Sequence, residues 1–253
     1  MAETYAVYCD AIEREVARIG EVGRTHDLAA EVPCCPGWTL GDVVKHVGVL
    51  QQWFAAMIER QSAQRLPFGE VDFGVPAEVA DYPEWLVARQ AEVGKVLRAA
   101  DPDAAMYTWG PGGEVRFWVR RMLMECLVHR YDAELAAGEL TAVDPALAAD
   151  GVEEFLVNLP SAEGFAPDVA NLRGSGQTIG FGVWGTEVDW TVRLDADSFG
   201  LVSAVDDPDA TVSAETAEAL LLLVYGRIGR DDARIRIEGE ADLLDKWFTH
   251  SKF

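Results

Sequence analysis

Met122-Leu123-Met124-Glu125-Cys126-Leu127-Val128-His129 reads as a helical run that is apolar on nearly every side, interrupted by one carboxylate and one imidazole. A helix of that composition belongs in a core rather than on a surface. An ionised carboxylate in such a setting is costly unless a cation or a metal compensates it. His129 follows Glu125 by four residues, which stacks the two side chains one turn apart on one face. They are two thirds of a metal-binding triad, and the remaining candidate, His46, lies far upstream, so the fold must deliver it. In isolation the spacing is a weak signal. A core glutamate paired with Arg121, one turn before it, beside a satisfied core histidine, explains it equally well.

Working outward, the run sits in a helix expected over 114–137, and everything before it also reads as helical. Tyr5, Tyr8, Ile12, Val16 and Ile19 carry helical periodicity through a segment from 3 to 27. The Pro- and Gly-punctuated loop 32–38 follows. Thr39 then reads as an N-cap with Asp42 three residues on, approximating a capping box. The helix it opens, to Arg60, has Val43, Leu50, Phe54 and Met57 on one stripe, with His46 at its shoulder beside Leu50 and Trp53. Further helices are expected over 83–100 and 145–158. Composition then changes: 161–177, rich in Gly, Pro and Ser, reads as a linker. Strand-like runs follow at 178–184, 187–194 and 199–205. Ser213 reads as the cap of a helix reaching Tyr225, then a strand at 233–238 and a helix at 241–249. The expected class is α+β: a helical bundle over 1–160 and a small α+β domain over 178–253.

The chain has 253 residues, enough for one large domain or two small ones. A formal net charge of −22 argues against nucleic acid and anionic membranes as partners, because binding phosphate needs a basic surface. No run approaches the roughly 20 apolar residues of a membrane-spanning helix. The acidic N-terminal segment has no basic region of a secretory signal, so a cytoplasmic protein is expected, as a monomer or weak homodimer. Cys9, Cys34, Cys35 and Cys126 show no CxxC spacing, and adjacent Cys34 and Cys35 rarely pair with each other without strain. All four read as reduced thiols, Cys126 as core packing, and none stands out as a nucleophile.

Two histidines and one glutamate are a familiar catalytic zinc set with a fourth position open. The stretch VPCCPGWTLGDVVKHVGVLQQW, 32–53, resembles the N-terminal signature of the mycothiol-dependent maleylpyruvate isomerase family, an actinobacterial group among the DinB-like metal-binding four-helix bundles. RRMLMECLVHRYDAEL, 120–135, resembles that family's Glu-x-x-x-His-Arg-aromatic-Asp-Ala-Glu helix. LLLVYGRIGRDDARIRIEGEADLLDKW, 221–247, resembles its small, sterol-carrier-like tail domain more loosely. The resemblance implies a DinB-like up-and-down bundle in which His46, Glu125 and His129 hold zinc or another divalent metal, with water or a thiol at the fourth position. It also implies mycothiol as thiol cosubstrate and a small electrophile as substrate, in an isomerase or S-transferase. Arg227, or Arg230 in its place, corresponds to a tail-domain arginine implicated in activity.

Around the triad, Asp132 shares the face of Glu125 and either supports an imidazole or pairs with Arg121. Trp118 and Arg121 share that face too, and are expected to wall the cofactor pocket. Arg116 and Arg120 read as solvated or salt-bridged, Trp38 and Trp53 as core or pocket lining, His26 and His250 as surface. Two other functions remain open: a metal- or ligand-binding protein without turnover, and a metal-dependent hydrolase.

Overall fold

Four amphipathic helices build the first half of the molecule. The computed structural model describes residues 2–185 and 189–252. They are α1 (Ala2–Thr25), α2 (Leu40–Arg60), α3 (Tyr82–Ala99) and α4 (Val115–Ala137). The stripe on α1 is buried as its periodicity predicts, with Ile12, Val16, Ile19 and Val22 fully inaccessible. Helices α3 and α4 each pack against both α1 and α2, so the four surround one core. The approach of α2 to α3 is close because Gly48 lacks a Cβ: one built there would lie 2.2 Å from the Trp85 ring. The capping box is present, Thr39 Oγ1 accepting from Asp42 N at 3.2 Å and Asp42 Oδ2 from Thr39 N at 2.9 Å. At its other end, α4 stops on Gly138, whose φ of +74° suits a residue without a Cβ.

Below the triad, α4 is tied to α1 by a buried ionic network. Glu134, wholly inaccessible, accepts from Arg18 Nε at 2.7 Å, Arg130 Nη1 at 2.6 Å and Thr141 N at 2.9 Å, and Arg130 also pairs with Glu15. Each charge taken from water there meets an opposite charge and further hydrogen bonds, which buried ions require.

The chain divides into two compact units, one reaching Thr108 and resuming over Gly112–Thr141, the other made of Trp109–Pro111 and everything from Ala142 on. The expected boundary near 160 is therefore displaced. Helix α5 (Pro145–Asn158) packs on α6 (Ala217–Val224) inside the second unit. Its core side, Leu147, Val152, Phe155 and Leu156, is buried, and Glu154 accepts from Tyr225 Oη at 3.0 Å. The segment read as a linker also has structure. Two 3-10 turns, Leu159–Gly164 and Pro167–Asn171, bury Ala162 and Val169, with Ala166 and Leu172 beside them.

The sheet of the second unit has five strands: β1 (Gln177–Val183), β2 (Trp190–Leu194), β3 (Phe199–Val202), β4 (Ala210–Ala214) and β5 (Ile235–Gly239). Their order is β3-β2-β1-β4-β5, with β1 and β4 parallel and the other pairs antiparallel. The start expected for the second strand, at 187–188, lies outside the described residues. Ser213 does not cap a helix. It lies in β4, and the cap of α6 is Thr216, whose Oγ1 accepts from Ala219 N at 3.1 Å. Helix α7 (Ala241–His250) brings Trp247 to 5.3 Å from Phe181 of β1, ring centre to ring centre. A helical first half and a small sheet domain make the fold α+β, as expected. Among the described residues no helix is long and apolar enough to cross a membrane.

Candidate metal centre

His46 on α2 meets Glu125 and His129 on α4, one ligand atom from each lying within 4.8 Å of the others. Glu125 Oε2 is 3.7 Å from His46 Nε2 and 3.4 Å from His129 Nε2. Its other oxygen, Oε1, accepts from Arg121 Nη2 at 3.1 Å. Glu125 thus has the arginine partner of the simpler reading and both imidazoles as well. Burial pushes its carboxyl up, but the Arg121 guanidinium and the two imidazoles outweigh burial and hold it well below the usual carboxylate range.

His129 is fixed from behind. Its Nδ1 lies 2.8 Å from Asp132 Oδ2, and Asp132 has no exposed surface. An ionised carboxylate there makes Nδ1 a protonated nitrogen and turns Nε2 toward Glu125 and His46. Burial alone lowers the imidazole's basicity, yet hydrogen bonds to Asp132 and Glu125 raise it above the ordinary value. Trp38 stacks on His129 at 5.8 Å and 7° and meets His46 edge-on at 5.0 Å. His129 is 10% exposed at its side chain while His46 is 31%, so the centre opens toward α2. Two imidazoles and a carboxylate, one imidazole backed by a second carboxylate, fit a zinc-type ion with one coordination position free.

The structure separates the other candidates. Arg121 reaches Glu125, and Asp132 meets His129. Trp118 does not line the centre. It is wholly buried, packs against Trp53, Phe54 and Phe117, and donates its Nε1 to the Tyr107 carbonyl at 2.6 Å. Trp53 is also core, its Nε1 on the Leu66 carbonyl at 2.8 Å. Arg116 pairs with Asp103 and Glu114. Arg227 and Arg230 belong to the second unit, Arg227 donating to the Tyr225 carbonyl at 2.8 Å and Arg230 to Asp245 at 2.6 Å. Cys34 and Cys35, which looked inert, stand beside the centre with both thiols on Asp132. Their one sequence signal is adjacency to the Pro36-Gly37-Trp38 turn that delivers Trp38.

A helical bundle with a His/Glu/His cluster, followed by a five-stranded sheet unit, defines an α+β protein with a candidate metal centre. The family model of the mycothiol maleylpyruvate isomerase N-terminal domain matches residues 9–134, and that of the MDMPI C-terminal domain matches 146–246. The chain belongs to the mycothiol maleylpyruvate isomerase family. Two similar solved structures are those of the mycothiol-dependent maleylpyruvate isomerase and of its histidine-to-alanine mutant. The mutant aligns at TM-score 0.62 with 12% identity and the unaltered enzyme at 0.57 with 14%, each over 94% of both chains. At that identity the likeness is one of fold. Comparison with curated protein sequences found no match.

Proposed function

We propose that this chain is a zinc-dependent enzyme that uses mycothiol to act on a small electrophilic alkene, as a maleylpyruvate isomerase-like isomerase or a related S-transferase. The observation that carries the reading is the convergence of His46, Glu125 and His129 within 4.8 Å, with Asp132 behind His129. Family membership supports the thiol and the substrate class.

His46 and His129 would hold the ion through Nε2 and Glu125 through Oε2. When bound, a divalent cation supplies a Lewis-acid position at which a thiol loses its proton near neutral pH. The chain's own part is to orient. Asp132 keeps the His129 ring turned, Arg121 occupies the far oxygen of Glu125, and Trp38 covers the imidazoles on one side. With the thiolate adding to one alkene carbon, the former double bond rotates as a single bond. Expulsion of the thiolate then restores the alkene in the other geometry. Retention of sulfur, with a proton delivered to the adjacent carbon, gives conjugation instead.

The test is turnover of maleylpyruvate with and without mycothiol, beside metal analysis of the purified chain. One zinc per chain, mycothiol-dependent isomerisation and its loss in His46→Ala are expected. A stable sulfur adduct would move the reading to a transferase. Ester hydrolysis without any thiol, or metal with no turnover, would overturn it.

A further inference from the structure

The carboxylate behind His129 is also the meeting point of a second donor set. Cys34 Sγ donates to Asp132 Oδ1 at 3.2 Å and Cys35 Sγ to Oδ2 at 3.6 Å. Ligand atoms of the three lie within 4.8 Å of one another. Both cysteines are reduced and partly accessible, whereas Asp132 is sealed. The loop that carries them is closed by its own backbone: Val32 N donates to Trp38 O at 2.9 Å, Cys35 N to Val32 O at 3.0 Å and Trp38 N to Cys35 O at 3.0 Å. The thiols are therefore held toward α4 by hydrogen bonds that need no ligand.

Two sulfurs and one carboxylate are a chemically selective set. Thiolates favour zinc, cadmium and copper(I) over magnesium or calcium, which prefer oxygen alone. Three protein ligands suit a four-coordinate ion that keeps a water. Adjacent cysteines close a disulfide only with strain, so the pair stays reduced. We propose that Cys34, Cys35 and Asp132 form a second cation site, for a thiophilic ion such as zinc or cadmium, coupled to the His46, Glu125 and His129 centre through Asp132. As the ion binds, each thiol releases its proton to water. Asp132, once it holds a cation, is a weaker acceptor for the His129 Nδ1 proton. Filling the thiol site thus weakens the support of His129, a change of the kind that alters metal affinity by about 10- to 100-fold. None of this depends on whether the histidine centre turns substrate over.

The experiment uses the full chain carrying His46→Ala, which disables the first centre. Cadmium is added while the thiolate-to-cadmium charge-transfer absorbance is followed. The band is expected to saturate at a single equivalent, and to vanish when Cys34→Ser and Cys35→Ser are added, although Cys9 and Cys126 remain. Serine keeps an O–H donor for Asp132, and circular dichroism checks the fold. If the double variant does not fold, Cys34→Ser alone is expected to weaken cadmium binding about tenfold or more. The His129 Nδ1 proton resonance should shift with cadmium in the His46→Ala chain and stay in place with both serines present. No band at stoichiometric cadmium, or the same band in the serine variant, overturns the site. A band without movement of the His129 resonance overturns the coupling.

Discussion

Asp132 carries more of the centre's geometry than any other residue outside the triad. It is the acceptor that sets the His129 tautomer and the acceptor for two thiols. Asp132→Asn preserves volume but withdraws the charge behind the imidazole, and zinc affinity should fall about 10- to 100-fold. Competition against a chromophoric chelator measures this, and unchanged affinity would remove Asp132 from the site. Glu125 has the opposite liability. Arg121 is 3% exposed, so Glu125→Ala takes a charged acceptor from a buried guanidinium, and the metal-free chain should lose about 1.5–3 kcal/mol in denaturant unfolding. Which residues could be read in advance follows from periodicity. Glu125, His129 and Asp132 share a face by spacing alone, and His46 was identifiable as the other core-helix histidine. Trp118 shares that face too, but seven residues is about 10 Å along a helix, deep enough to enter the core beside Trp53. A helical wheel records angle and discards depth. Cys34 and Cys35 escaped because weak thiol donors have no spacing signature until the fold supplies their acceptor.

Among the elements, α2 is the one whose start decides whether His46 arrives in register. Its N-terminus is set by the reciprocal Thr39 and Asp42 bonds, and this was legible because both partners are local. Hydrogen bonds from the Thr39 backbone and hydroxyl hold the Asp42 carboxyl below its ordinary range. A depressed carboxyl stabilises the fold above the unfolded pKa, about 3.9, and that contribution disappears as pH falls through the lower folded value. Thr39→Ala should therefore cost about 1 kcal/mol at neutral pH, and its difference from wild type should shrink below pH ~4. Urea melts across that range decide it, and a constant difference would mean the box is not ionic. Strands were harder to read than helices. In β4, Ala210, Val212 and Ala214 alternate inward with Thr211 and Ser213 between them, a true period of two. Its inward side chains are small and its partly covered ones are hydroxyls, the residues that also cap helices. The choice between strand and cap rested on pairing with β1 and β5, which is not local.

Across the full chain, the division into units falls before α5 rather than after it. Periodicity gave α5 as a helix but could not say which core receives it, because an apolar stripe is compatible with either neighbour. The structure assigns it to the second unit, with Phe155 and Leu156 each 1% exposed and Phe155 5.1 Å from Tyr225. Burying side chains of that size is worth about 1.5–3 kcal/mol apiece, and α5 also buries Leu147 and Val152. Removing the helix therefore withdraws more than about 5 kcal/mol from a unit whose total stability is on the order of 5–15 kcal/mol. A polypeptide starting at Ala142 should fold into the sheet unit with a cooperative melt, whereas one starting at Ser161 should not. The 1–141 piece should keep the capped helices and bind zinc, because every residue of the triad and its support lies within it. Circular dichroism melts of the three pieces, with zinc stoichiometry on the first, settle the matter. A cooperative melt from the piece beginning at Ser161 would place α5 outside the core it now completes.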